Sequence, residues 1–179
     1  MMEQSEFGKR ALRLASDRLA SSSDDDERAI AVAEAAYWVA ALDEMAMSSI
    51  GTAGYYVLRS QHRFGSVVSG IVYARNLTTH QLVAPYGVAV VPAEVHVNFD
   101  GTGLKKAKVY AHFGDAGVQP AKVRFAKLCW KPLDQLPAPA RPERHGRDQD
   151  YERWVSGREA ASVLADALTY FDEILGPAS

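Results

Sequence analysis

Apolar residues return at helical intervals through the first half of the chain. Phe7, Ala11, Leu14, Ala15 and Leu19 recur with Arg10, Arg13, Asp17 and Arg18 between them. That period predicts an amphipathic helix over about 3–20. Asp24, Asp25, Asp26 and Glu27 then stand where carboxylates favour the positive end of a new helix, predicted over about 24–48. On it Ile30, Ala33, Tyr37, Ala40 and Ala41 cover one face, and Val32, Ala36, Val39 and Met47 another. A helix apolar on most sides is a central one, so Tyr37 and Trp38 read as core. A third helical region covers about 53–82. Interior glycine costs about 1 kcal/mol against alanine, so Gly65 and Gly70 weaken it, and a break is expected near Phe64-Gly65 with Ser66 capping the second half.

After Ala84-Pro85-Tyr86-Gly87 the period changes to two. Val95, Val97 and Phe99 alternate with His96 and Asn98. Ala107, Val109, Ala111 and Phe113 alternate with Lys106, Lys108, Tyr110 and His112. Asp100-Gly101 and Asp115-Ala116-Gly117 supply turns, and another strand is expected over about 122–130. The simplest arrangement is an antiparallel insertion of three to four strands over about 86–131, joined as a meander. Pro132, Pro137, Pro139 and Pro142 mark a surface loop over 132–147. Ser156 and Glu159 have the spacing of a capping box, and Leu164, Leu168, Phe171 and Leu175 form the stripe of a last helix over about 157–175. The fold class expected is α+β in a single domain (1–179), with helices framing a β insertion.

Composition narrows the picture. The chain has 179 residues, 47% hydrophobic and 23% charged, so it can bury a core without staples. Its net charge of -2 argues against a protein built as a broad nucleic-acid clamp. Cys129 is the only cysteine, which excludes an internal disulfide or a thiolate cluster within one chain and fits a reducing cytosol. No secretory signal is evident at Met1-Met2-Glu3-Gln4. The longest apolar stretch, 29–47, is broken by Glu34, Asp43 and Glu44, so no membrane span is expected. The expected location is cytoplasmic.

Several common chemistries have no motif here. There is no dinucleotide or phosphate-binding glycine loop, no nucleophile elbow and no His-Glu-x-x-His. The five histidines are scattered. A metal site from His96 and His112 on adjacent strands is geometrically allowed, but the two read as solvent-facing strand residues, and no metal or cofactor is expected. Arg59, His62 and Arg63 form a small basic cluster, read as a solvated helix face.

One segment carries more chemistry: Arg75-Asn76-Leu77-Thr78-Thr79-His80. Arg75, Asn76 and His80, with Tyr73-Ala74 before and Gln81-Leu82 after, resemble the motif of the HEPN superfamily. The resemblance covers about 3–82 and, loosely, 150–175. The β insertion departs from that family's minimal helical fold. The stretch Trp130-Lys131-Pro132-Leu133 with 151–157 also resembles bacterial proteins of no assigned activity. What the HEPN resemblance implies is metal-independent RNA cleavage by a homodimer, in a toxin or phage-defence setting, with a protein antidote or partner.

The chemistry of those residue types agrees with that implication. Attack of a ribose 2′-hydroxyl on its phosphate needs a base of near-neutral pKa, the niche of histidine. The charge developing on the phosphate needs a fixed cation with forked donors, the niche of arginine. Asn76 and His80, four apart, share a helix face, so Asn76 can orient the imidazole. Five positions rotate about 140°, so Arg75 must reach around, or the helix must end near His80. One imidazole does not easily serve as both base and acid, which favours a two-fold pair of chains. The structural alternative has His80 serving the helix C-terminus and Arg75 pairing with Glu34 or Asp43.

Basic residues gather in the insertion: Lys105, Lys106, Lys108, Lys122, Arg124, Lys127 and Lys131, with Asp115 the one acid between 105 and 131. With Tyr110, His112 and Trp130 nearby, such a sheet can grip an RNA backbone and stack a base. Lysines on exposed strands also guard against edge pairing. The residues leave three roles open: a ribonuclease, a non-catalytic module binding RNA, a nucleotide or a protein, and a structural or interaction protein.

Overall fold

A computed structural model describes residues 2–81, 86–92, 96–97, 105–106, 110–112, 118–120, 124–137 and 146–176, with side chains for 4–77, 86–87, 128–137 and 146–176. Two compact units emerge: 1–87 with 128–179, and 88–127. The first unit holds the helices α1 (Met2–Ser21), α2 (Asp25–Ile50), α3 (Thr52–Gln61), α4 (Gly65–Gln81), α5 (Arg147–Trp154) and α6 (Ala160–Leu175). The described chain is mostly helical with short strand pairs, an α+β arrangement.

Helix α2 is the central element, as its all-round apolar surface requires. Its start is fixed by Asp24, whose carboxylate accepts the Glu27 N–H at 2.8 Å. It ends at Gly51, where a φ of +85° carries the chain into α3 and the N–H reaches Met47 O at 3.0 Å. Between those ends Val32, Ala35, Val39 and Leu42 are fully enclosed, so the helix packs α1 on one side and α4 and α6 on the others. Tyr37 departs from the core assignment: it is exposed, while Trp38 beside it is half-buried.

The third helical region divides between Gln61 and Gly65, where a break was expected. Phe64, not Ser66, opens the second half, since its carbonyl accepts the N–H groups of Val67 and Val68 at 3.1 and 3.2 Å. A Cβ on Gly65 would meet Arg59 O at 1.8 Å, so only glycine lets the chain turn this tightly.

Gly70 is the point of closest approach between α4 and α5. A Cβ there would sit 2.7 Å from Val155 Cγ2 and 2.9 Å from Tyr151 Cα. We expect Gly70→Leu to cost about 1–3 kcal/mol in urea unfolding, because the backbone of α5 has to move. Gly54, in the first turn of α3, meets only Ile50 Cγ2 at 3.4 Å. Gly54→Ala is expected to stabilise by up to about 1 kcal/mol, and the two signs together check the packing.

The expected capping box at Ser156 does not form. The Ser156 N–H turns back to Tyr151 O at 2.8 Å, and Gly157 donates to Trp130 O at 2.9 Å with φ +72°. Trp130 N–H reaches Arg158 O at 2.9 Å, and Cys129 bridges Glu159. The segment before α6 is therefore spent on pairing with the end of a strand, and α6 starts only after Glu159. On α6, Leu164 and Phe171 of the predicted stripe are fully buried, each contributing about 1.5–3 kcal/mol. Tyr151, enclosed against Tyr73, anchors α5 through its hydroxyl to Lys131 O at 2.6 Å, whereas Trp154 lies at the surface against Arg153. Cys129 is buried packing.

The strands are β1 (Tyr86–Pro92), β2 (His96–Val97), β3 (Lys105–Lys106), β4 (Tyr110–His112), β5 (Val118–Pro120) and β6 (Arg124–Trp130). Among the described residues they join two by two: β1 with β6, β2 with β3, β4 with β5. Of the alternating run read as one strand over 106–113, Lys106 lies on β3 and 110–112 on β4, which have different partners, and 107–109 and 113 lie outside the described residues. β1 had no alternation to announce it, since Val88-Ala89-Val90-Val91 is apolar throughout. Pro137 ends one described stretch and Gly146 opens the next, so the rest of the proline-rich loop lies outside the described residues.

Candidate functional site

The motif segment occupies the last turns of α4. Val67, Val68, Ile71, Val72, Ala74 and Leu77 are buried, which fixes the rotation of the helix. Arg75 and Asn76 fall at the edge of that face and are half-buried. Arg75 Nη1 donates to Asn76 Oδ1 at 3.3 Å. The guanidinium also lies 5.8 Å from the centre of the exposed Tyr37 ring, within reach of a cation–π contact. The two acids considered as partners of Arg75 are engaged elsewhere: Glu34 with Arg18, Asp43 with Tyr55 and Arg59. His80 belongs to the final turn of α4, which ends at Gln81. Residues 82–85 lie outside the described residues. The His80 side chain lies outside the described residues.

Of the basic set, Lys105 and Lys106 lie on β3, opposite Val97 and His96 respectively. Arg124 and Lys127 lie on β6. Lys108 and Lys122 lie outside the described residues. His112 is opposite Val118, so neither it nor His96 is the other's cross-strand neighbour.

The largest correction concerns Arg59 and His62. Arg59 is not on a solvated face: it is 7% exposed and points inward from α3. Its Nη1 lies 3.4 Å from Asp43 Oδ1, and the same oxygen accepts the Tyr55 hydroxyl at 2.5 Å. The guanidinium also rests 5.0 Å from the Tyr56 ring centre. Burial and the Asp43 carboxylate push the Tyr55 hydroxyl far above the usual tyrosine range, so it stays a donor. Tyr170 of α6 feels the same burial and the same carboxylate, and its own hydroxyl is raised as well. One signal pointed here: Asp43 lies on the buried face of α2 with Val39, Ala40 and Ala46. An acid on a core face demands a cation, and only its neighbours in space could name Arg59.

His62 sits at the joint between α3 and α4. Its Nδ1 accepts the Phe64 N–H at 3.2 Å, which leaves the hydrogen on Nε2, 2.8 Å from Glu173 Oε2. Tyr170 meets the ring edge-on at 4.8 Å, and Arg63 reaches Glu173 Oε1 at 3.1 Å. The His62 bond, then Arg63, hold the Glu173 carboxyl below its ordinary value. A depressed carboxylate pKa adds stability above the unfolded value and loses it as pH falls through the folded one. The melting temperature of the wild type should therefore exceed that of Glu173→Gln at neutral pH, and the two curves should converge in acid. A gap that stays constant with pH would contradict the assignment.

No group of three His, Cys, Asp or Glu side chains gathers to hold a metal among the described residues, and no described helix is long and apolar enough to cross a membrane. No protein-family model, curated protein or solved structure matches the chain.

Proposed function

We propose that this chain is a metal-independent endoribonuclease of the HEPN type, acting as a homodimer. The observation that carries the reading is the Arg75–Asn76 pair at the half-buried edge of α4, one helical turn ahead of His80 and the end of that helix. In this reading Arg75 holds the scissile phosphate through its forked donors. His80 takes the 2′-hydroxyl proton in one copy and supplies the leaving-group proton from the other, and Asn76 orients an imidazole. The fold that goes with it is a HEPN-like helical core carrying an insertion of three to four strands. Lys105, Lys106, Lys108, Lys122, Arg124 and Lys127 then draw in the RNA backbone. The setting is that of a toxin or a phage-defence effector in the cytoplasm, restrained by a protein antidote or partner. No cofactor enters the scheme.

One observation favours a second reading, a non-catalytic RNA- or protein-binding module: the Arg75 guanidinium already rests on Asn76 and over Tyr37. Incubating the pure protein with labelled RNA in chelator separates the two. A ribonuclease cleaves; a binding module shifts the RNA without cutting it. In either case neutralising Lys105, Lys106 and Lys108 together should lower RNA affinity and flatten its salt dependence, each lost phosphate contact reducing the slope by about 0.7–0.9. An unchanged slope would remove the insertion from the binding surface. A chain that neither cuts nor binds RNA is a structural or interaction protein.

A further inference from the structure

We propose that Tyr37 is a base-stacking platform, which confines the RNA taken at Arg75 to strands with unpaired bases. The inference deepens the RNA reading above and rests on it. Tyr37 is 51% exposed, although it belongs to the central helix α2. Its ring meets that of the half-buried Trp38 at 5.3 Å with the planes at 80°, and Trp38 in turn meets Phe7 at 5.4 Å. The ring is thereby held in plane while much of it stays open to solvent.

The surroundings suit a flat ligand. Ala33 and Ala41 stand one turn before and one turn after Tyr37 on the same face, and such small side chains leave room beside the ring. Glu34 is the one charged residue within a turn of Tyr37 on α2, and it is paired with Arg18.

Chemistry selects the ligand. Among the exposed large apolar side chains of the described residues, two carry a guanidinium at the ring: Trp154 and Tyr37. For Trp154 it is Arg153, its neighbour in the chain. For Tyr37 it is Arg75, brought from α4 together with Asn76, which accepts from its Nη1 at 3.3 Å. A guanidinium 5.8 Å from an open ring matches a single nucleotide, the cation facing the phosphate and the ring facing the base. A base offers its face only when it is unpaired and unstacked, as in single strands and loops. A duplex keeps those faces inside and presents the phosphate alone. Because every base has a π-face, the subsite selects strandedness rather than sequence.

Binding of short 2′-O-methyl RNA tests it, since that strand lacks the free 2′-hydroxyl that the proposed cleavage needs. Tyr37→Ala should weaken binding of the single strand about 10-fold and leave duplex binding unchanged. Tyr37→Phe should restore the wild-type affinity, whereas Tyr37→Leu, apolar but without a π-face, should not. These two fill similar space, so they keep the comparison valid should Tyr37→Ala unfold. On the same backbone carrying no bases, the wild type and Tyr37→Ala should bind equally. A loss that falls equally on strands with and without bases would mean that Tyr37 only supports Arg75, and would overturn the proposal. Unchanged single-strand binding by Tyr37→Ala would overturn it as well. So would a wild type that binds no RNA, which leaves the ring to a protein contact. Cleavage of unmodified RNA separates the two ideas. Base-dependent binding without cleavage sinks the ribonuclease and leaves the stack standing. Cleavage by Tyr37→Ala with an unchanged KM sinks the stack and leaves the ribonuclease standing.

Discussion

Asp43→Ala should lower stability by about 3–5 kcal/mol, because it leaves a guanidinium buried without its counter-charge. Asp43 is 3% exposed, and its carboxylate serves both Tyr55 and Arg59. For a domain whose whole stability is about 5–15 kcal/mol, that is a fifth or more, equivalent to a melting-temperature drop of roughly 10 °C. Tyr55→Phe removes one donor from the carboxylate and should cost less, about 1–3 kcal/mol. The informative variant is the double change Asp43→Leu/Arg59→Met. Replacing both charges with apolar groups of similar volume removes the desolvation cost along with the attraction, so it should recover most of what Asp43→Ala loses. Urea unfolding of the three variants measures this. A loss under 1 kcal/mol for Asp43→Ala would mean that Arg59 finds water, and that the α2–α3–α6 junction is looser than its burial indicates.

His80→Ala should reduce RNA cleavage by about 10²–10⁴-fold, the usual contribution of a positioned acid or base, with no change in unfolding midpoint. His80 lies on α4, and the unchanged midpoint is the control that separates lost chemistry from lost packing. Arg75→Ala should cost a comparable factor if the guanidinium meets charge that develops only in the transition state. Arg75→Lys should not restore it, since a point charge lacks the forked donors. Stability is the control for Arg75, which packs on Tyr37 and Asn76. A rate loss without a shift in midpoint assigns it to chemistry; both together assign it to packing.

What was legible in the sequence was local. The Asp24 cap, the all-round apolar α2, the break before Gly65 and the stripe through Leu164 and Phe171 each depend on residues within a few turns of one another. What escaped was non-local. His62 and Glu173 are 111 positions apart, and no periodicity connects them. Arg59 looked like part of a solvated face because it neighbours His62 and Arg63 in the chain; its partner lies on another helix. The Ser156–Glu159 spacing was real, but backbone pairing with Trp130 claimed the segment first. Tyr37 looked like core by composition, yet it is exposed. For the motif, residue types and a place on a helix were legible along the chain. The structure adds that Arg75 and Asn76 are adjacent and half-buried at the helix edge.

End-group analysis of RNA exposed to the purified chain in excess chelator is the decisive measurement. Attack by a ribose 2′-hydroxyl, with His80 moving the proton and Arg75 on the phosphate, leaves 2′,3′-cyclic phosphate and 5′-hydroxyl ends, and those ends should vanish with His80→Ala. RNA that stays intact beside well-folded protein, or fragments ending in a free 3′-hydroxyl, would contradict the reading.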